Sequence, residues 1–155
     1  MKHLLTLLLV VATATAATAQ KKLTEKDLLG KWTITSIGMY MGTIDFKKQK
    51  FIPSEELKAD MTEEDLEMAE TALLESMAGV AEYYMAFESG YKLESNIDNV
   101  GNSTYKIIEK DGKQYLTDAE VQDDDLVEIF IKNKQLHFLV PDDENGGNIV
   151  LLFEK

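Results

Sequence analysis

The chain contains no cysteine and no arginine; all 16 of its basic residues are lysines, set against 28 Asp and Glu for a formal net charge of −12. Without cysteine there is no disulfide, no thiolate zinc site, no iron–sulfur cluster, no cysteine nucleophile and no lipidated cysteine. Without arginine the planar guanidinium forks that read phosphates are missing, and the sign of the charge repels polyanions, so a nucleic-acid partner is excluded. Two histidines occur, His3 and His137. No apolar run is long enough to span a bilayer, so no membrane span is expected. What is present is an apolar content of 45% over 155 residues, which suits one globular domain rather than a disordered acidic tail.

The N-terminus reads as an address label. Lys2 and His3 precede an apolar run from Leu4 to Val11, and small residues follow up to Ala17-Thr18-Ala19. This is the order of a secretory signal peptide, with cleavage expected after Ala19. The expectation is an exported protein, periplasmic or secreted, whose single domain is residues 20–155. His137 is then its only imidazole.

Three textures follow. Thr24-Glu25-Lys26-Asp27 has the pattern of a capped helical turn, with Leu28 and Leu29 next and Gly30 able to end it. Lys31–Met41 is rich in β-branched and aromatic residues, as a strand is. From about residue 54 to 80 the period changes. Leu66, Ala69, Leu73, Met77, Val80 and Tyr84 recur at steps of three and four, the stripe of an amphipathic helix, with Thr62 and Asp65 at its start. Ten carboxylates between Glu55 and Glu82 face one lysine, Lys58, so ion pairs do not hold this helix and its stripe must lie on something. Short alternating runs then read as strands over 82–88, 91–97, 103–109, 113–118, 125–132, 135–140 and 148–154.

Eight strands joined in sequence predict an all-β fold with a helical insert: an eight-stranded antiparallel up-and-down β-barrel carrying an amphipathic helix between strands 1 and 2. Alternation assigns Trp32, Ile34, Tyr83, Met85, Phe87, Tyr91, Leu93, Tyr105, Ile107, Val127, Ile129, Ile131, Leu136, Phe138, Ile149, Leu151 and Phe153 to the interior. Connections are tight at Ser89-Gly90, Asp111-Gly112 and Asn133-Lys134 and long at 42–81, 98–102, 119–124 and 141–147. Tight and long connections fall at opposite rims, giving one narrow end and one open mouth, with the acidic insert over or beside the mouth.

Leu29-Gly30-Lys31-Trp32 resembles the G-x-W opening motif of the lipocalin and lipocalin-like (calycin) superfamily, and secreted bacterial lipocalin-like domains are similar in leader, length and strand count. The resemblance implies that Trp32 packs across the closed end and that an apolar cavity opens at the other. Many such proteins stack an arginine on this tryptophan; here Lys134 or Lys155 can substitute through cation–π attraction.

Groups that carry chemistry are scarce. His137 alternates with Leu136 and Phe138, which places it on the barrel exterior. Asp123-Asp124-Asp125 and 142–147 offer oxygen ligands but do not fit calcium-loop spacing, and turn chemistry accounts for them. No metal and no cofactor is expected. Six methionines, Met39, Met41, Met61, Met68, Met77 and Met85, fall on the mouth side, where they suit an adaptable pocket or fill the contact between helix and barrel. The first functional expectation is a non-enzymatic protein holding a small hydrophobic or amphiphilic ligand, lined by Met39, Tyr40, Tyr83, Met85, Phe87, Tyr91, Tyr105, Ile129 and Phe138, with Gly30 and Trp32 structural. The alternative is an interaction or inhibitor module, its barrel filled and its acidic helical surface meeting another exported protein. An enzyme has no residue constellation to support it.

Overall fold

The computed structural model describes residues 22–97, 100–120, 126–142 and 145–155. The expected leader at residues 1–19, Asp98, the Asp123–Asp125 run, Asp143 and Glu144 lie outside them. The elements in chain order are α1 (Glu25–Leu28), β1 (Gly30–Met39), β2 (Gly42–Asp45), β3 (Lys50–Pro53), α2 (Glu55–Asp60), α3 (Glu63–Ser76), a 3-10 helix (Ala78–Glu82) and β4 (Tyr84–Glu88). Then come β5 (Lys92–Ser95), β6 (Ser103–Lys110), β7 (Lys113–Asp118), β8 (Val127–Lys132), β9 (Gln135–Pro141) and β10 (Asn148–Glu154).

Eight of these strands, β1 and β4–β10, pair antiparallel with their chain neighbours, and β10 returns to pair with β1. The barrel is closed, so its eight strands leave no open edge among themselves. Its interior is built in rows. Ile131, Leu136, Phe153 and Ile34 pair across β8–β9–β10–β1, and Ile129, Phe138, Leu151 and Ile37 form the next row. Leu136 and Phe153 have no solvent exposure, and Ile129 is 2% exposed.

The two rows meet β1 at residues three apart, which strict alternation forbids. A bulge between Ile34 and Ser36 resolves this by adding one residue, Thr35, on the β1 side. The Thr35 hydroxyl donates to the Leu152 carbonyl at 3.2 Å, and its own carbonyl accepts the Phe46 amide at 2.9 Å. The Thr35 and Leu152 carbonyls at the bulge are thereby partnered.

At the bulge β1 also changes partner. Residues 30–33 pair with β4 and 36–39 with β2, so the insert opens with a hairpin, β2–β3, that extends the sheet past the barrel. The helices therefore follow strands 1–3 rather than joining the first barrel strand directly to the second. The hairpin carries its own small core. Ile44 is wholly buried and Phe51 nearly so, with α3 packed on β3 and the Glu70 carboxylate accepting the Phe51 amide at 2.9 Å. Gly42 makes the close hairpin possible. At φ +145° a side chain is strained, and a Cβ there would sit 2.8 Å from the Phe51 ring.

The closed end is stoppered by the segment before β1. Thr24 donates to the Asp27 carboxylate through its amide (2.9 Å) and hydroxyl (2.7 Å), fixing the short turn of α1. Leu23 and Leu28 are thereby buried in the same cluster as Trp32, Phe87 and Tyr105. Trp32 Nε1 donates to the Leu28 carbonyl at 2.6 Å, and Gln114 brackets the Leu23 backbone from β7. The Lys155 ammonium lies 4.7 Å from the centre of the Trp32 ring, taking the position expected of a substituting lysine.

Adjacent residues of β10 test the rows. Phe153→Ala is expected to lower unfolding free energy by about 3–5 kcal/mol, and Leu152→Ala, on the outer face, by about 1 kcal/mol or less, both read from urea denaturation. Equal losses would contradict the assigned faces.

Candidate functional site

Of the nine residues expected to line a ligand, five converge in one buried cluster: Met85, Phe87, Tyr105, Ile129 and Phe138. Met39 and Tyr83 are partly buried against it. Two do not belong. Tyr40 is 56% exposed because β1 ends at Met39 and Tyr40-Met41 is the tip of the β1–β2 hairpin. Tyr91 is 47% exposed because the β4–β5 connection runs one residue further than Ser89-Gly90. Its φ of +59° takes it out of the strand, where the Glu25 carboxylate accepts the Gly90 and Tyr91 amides at 2.6 and 3.0 Å.

The depth of the buried cluster is occupied by its own rings. Phe87 meets Tyr105 edge-on with centroids 5.1 Å apart, and Phe138 meets Phe153 at 5.3 Å. These contacts are at the ordinary separation of packed aromatic pairs, so this half of the barrel is core. The Tyr105 hydroxyl is buried without a partner. Burial, and then the Glu25 charge, push its pKa up to about 12, so it remains a neutral phenol at physiological pH.

The end away from α1 differs. There the interior positions are Val127 at the start of β8, Val140 paired with Ile149, and Met39 at the end of β1 beside the pair Gly38 and Val150. All four are partly exposed, unlike most of the rows beneath them. Met77, Val80 and Tyr83, from the end of the insert, also pack against the core while remaining partly exposed. The candidate site at this end is thus an apolar, incompletely buried rim, with Ile129 and Phe138 buried in the row beneath it. Val127 and Ile149 were legible as interior residues; their place at the rim follows from register, which alternation alone does not supply.

The helix α3 stands beside this mouth, packed on β3 and on the 3-10 helix. The expected stripe, Leu66, Ala69, Leu73 and Met77, is the partly buried side of α3 and its C-cap, and the Glu-rich side faces water. Among the described residues no His, Cys, Asp or Glu group of three is arranged to hold a metal, and no helix is long and apolar enough to cross a membrane. In the 142–147 loop, Asp142 accepts from the Asn145 amide at 3.2 Å and the Gly146 amide reaches the Asp142 carbonyl at 2.9 Å, as turn chemistry requires.

His137 is on the outer face as expected, stacked on Phe130 with centroids 4.5 Å apart and planes 15° from parallel. Burial lowers its pKa from 6.5; a backbone hydrogen bond at Lys132 opposes the shift and the Lys132 charge adds to it. The closed barrel is compatible with a lipocalin-like fold. Comparison with protein-family models, with curated proteins and with solved structures returns no match.

The depressed His137 pKa has a signed consequence. The folded state holds the neutral imidazole, so its contribution to stability is complete above pH 6.5 and is lost as pH falls through the lowered value. Urea denaturation across this range is expected to show a smaller loss on acidification for His137→Phe than for the parent protein. Parallel profiles would contradict the assignment.

Proposed function

We propose that this is an exported, lipocalin-like, non-enzymatic binding protein that takes a small apolar or amphiphilic molecule at the mouth of the barrel. The observation that carries the reading is the incomplete burial of the interior side chains that β1, β8, β9 and β10 bring to this end, Met39, Val127, Val140 and Ile149, above a filled core. Exposed apolar surface costs free energy in water, roughly 25 cal/mol per Å2, and covering it with a ligand recovers that. Met39 and Met77, partly buried against the core, give this end side chains that adapt their shape.

The ligand class follows from charge. The insert carries exposed carboxylates, Glu82 among them, next to Val80 and Tyr83. Each nearby negative charge disfavours a bound anion by roughly 1 kcal/mol at 4 Å in a water-like dielectric, so the mouth prefers neutral or cationic molecules. The leader at residues 1–19 supports export, with the domain released after Ala19.

The alternative, a docking or inhibitor module, draws on one observation. Met68 is 59% exposed on the outer side of α3, among Glu64, Glu67 and Glu75. A partner meeting that side would present lysine or arginine around an apolar residue.

Uptake of a neutral lipophilic dye, Nile red, separates the two. Val127→Asp is expected to reduce the dye's affinity by about tenfold or more with an unchanged circular dichroism spectrum, and Ile52→Asp on the hairpin to leave it unchanged. No dye uptake by the parent protein, or equal uptake by Val127→Asp, would overturn the mouth as the site.

A further inference from the structure

At the stoppered end a separate cleft of about 750 Å3 lies between α1, the β8–β9 turn and the end of β10. The partly exposed Ile131 and the small exposed edge of Trp32 supply its apolar floor, and Asp27, Lys134, Glu154 and Lys155 its charged edge. The carboxylates are engaged elsewhere. Asp27 accepts both donors of Thr24, and Glu154 accepts from Lys47 and from Gln135 at 2.9 Å, which hold its pKa below the ordinary value. The ammonium groups are less satisfied. Lys155 has the face of Trp32 and a long, 3.4 Å contact to the Asp27 carbonyl. Lys134 is exposed and joins no ion pair among the described residues. Its position is set by the β8–β9 hairpin, where Asn133 and Lys134 both adopt left-handed φ angles of 54° and 67°.

We propose that this cleft binds an amphiphilic monocarboxylate, its carboxylate held between Lys134 and Lys155 and its hydrocarbon body on Ile131, against the exposed edge of Trp32. Charge-assisted hydrogen bonds to two ammonium groups stabilise one carboxylate, and the floor removes apolar surface from water. Lysines act as point charges without the planar fork that fits larger oxyanions bidentately, so a single carboxylate on an apolar body matches them better than a nucleotide or polyphosphate. The chain as a whole repels anions, with its formal charge of −12, whereas around this cleft Lys134 and Lys155 balance Asp27 and Glu154. The two ends of the barrel thus differ in the ligand charge they accept. This site stands or falls independently of the mouth.

Trp32 is the only tryptophan and forms part of the floor, so the full chain reports its own occupancy. Titration with decanoate is expected to give a saturable change in tryptophan emission, and decanol, its neutral counterpart, to bind about tenfold more weakly. Lys134→Asn keeps a residue tolerant of the left-handed turn and is expected to weaken decanoate about fivefold or more. Lys155→Gln is expected to do the same, and Lys58→Asn, on α2, to leave the affinity unchanged. In methyl NMR spectra decanoate is expected to shift Ile131 and leave Val127 and Ile149 unmoved. Equal affinity for decanol, unchanged affinity in both cleft variants, a flat emission titration, or shifts confined to Val127 and Ile149 would each overturn the proposal.

Discussion

The structure depends on β1 being hydrogen-bonded along both edges. One edge carries β10 over residues 33–38; the other carries β4 over 30–33 and β2 over 36–39. The β10 ladder turns a sheet into a barrel, and the change of partner on the opposite edge lets a hairpin branch off without leaving the barrel open. Both require the bulge at Thr35. Without the extra residue, Ile37 would face outward against the outer face of β10, and a one-residue slip exchanges the buried and solvent faces of everything beyond it. The hydrogen bonds from the Thr35 hydroxyl to Leu152 and from Phe46 to the Thr35 carbonyl satisfy both carbonyls at that bulge.

From this follows a division of labour along the barrel axis. At one end Leu23, Leu28 and Trp32 complete a sealed core, tied by hydrogen bonds from Trp32, Gln114 and the Glu25-held turn. At the other, the insert departs, and the last row of interior side chains has no such stopper. Burial is fuller beneath α1 than along the β1, β8, β9 and β10 rim where the long connections leave. A binding surface at that rim costs the fold little, because the stabilising contacts are made deeper in the barrel.

Much of this was legible in the chain. The alternating runs from Tyr84 to Glu154 place seven strands, and the turn pairs Asp111-Gly112 and Asn133-Lys134 mark their tight connections by residue type. Trp32 and the possible stand-in Lys155 were recognisable from a four-residue motif. The bulge was not, because Thr35 alternates correctly with Ile34 and only the partner strand reveals the extra residue. The β2–β3 hairpin was hidden in the insert, because Gly42, Pro53 and the lysine-rich turn between them read as a loop. Tyr40 and Tyr91 were misplaced for the same reason: strand ends are set by hydrogen bonds to distant groups, such as Glu25 to the Tyr91 amide, that local pattern does not encode. Of the nine candidate lining residues, the deep ones proved to be core, and the rim emerged from register.

The central claim is closure through β1 and β10. Cross-strand nuclear Overhauser effects between the backbones of these strands test it most directly. The account predicts such contacts for Ile34 with Phe153 and for Ile37 with Leu151, with the one-residue offset of the bulge between them. Contacts from β1 to β4 without any from β1 to β10, or an unbroken register through Thr35, would contradict it.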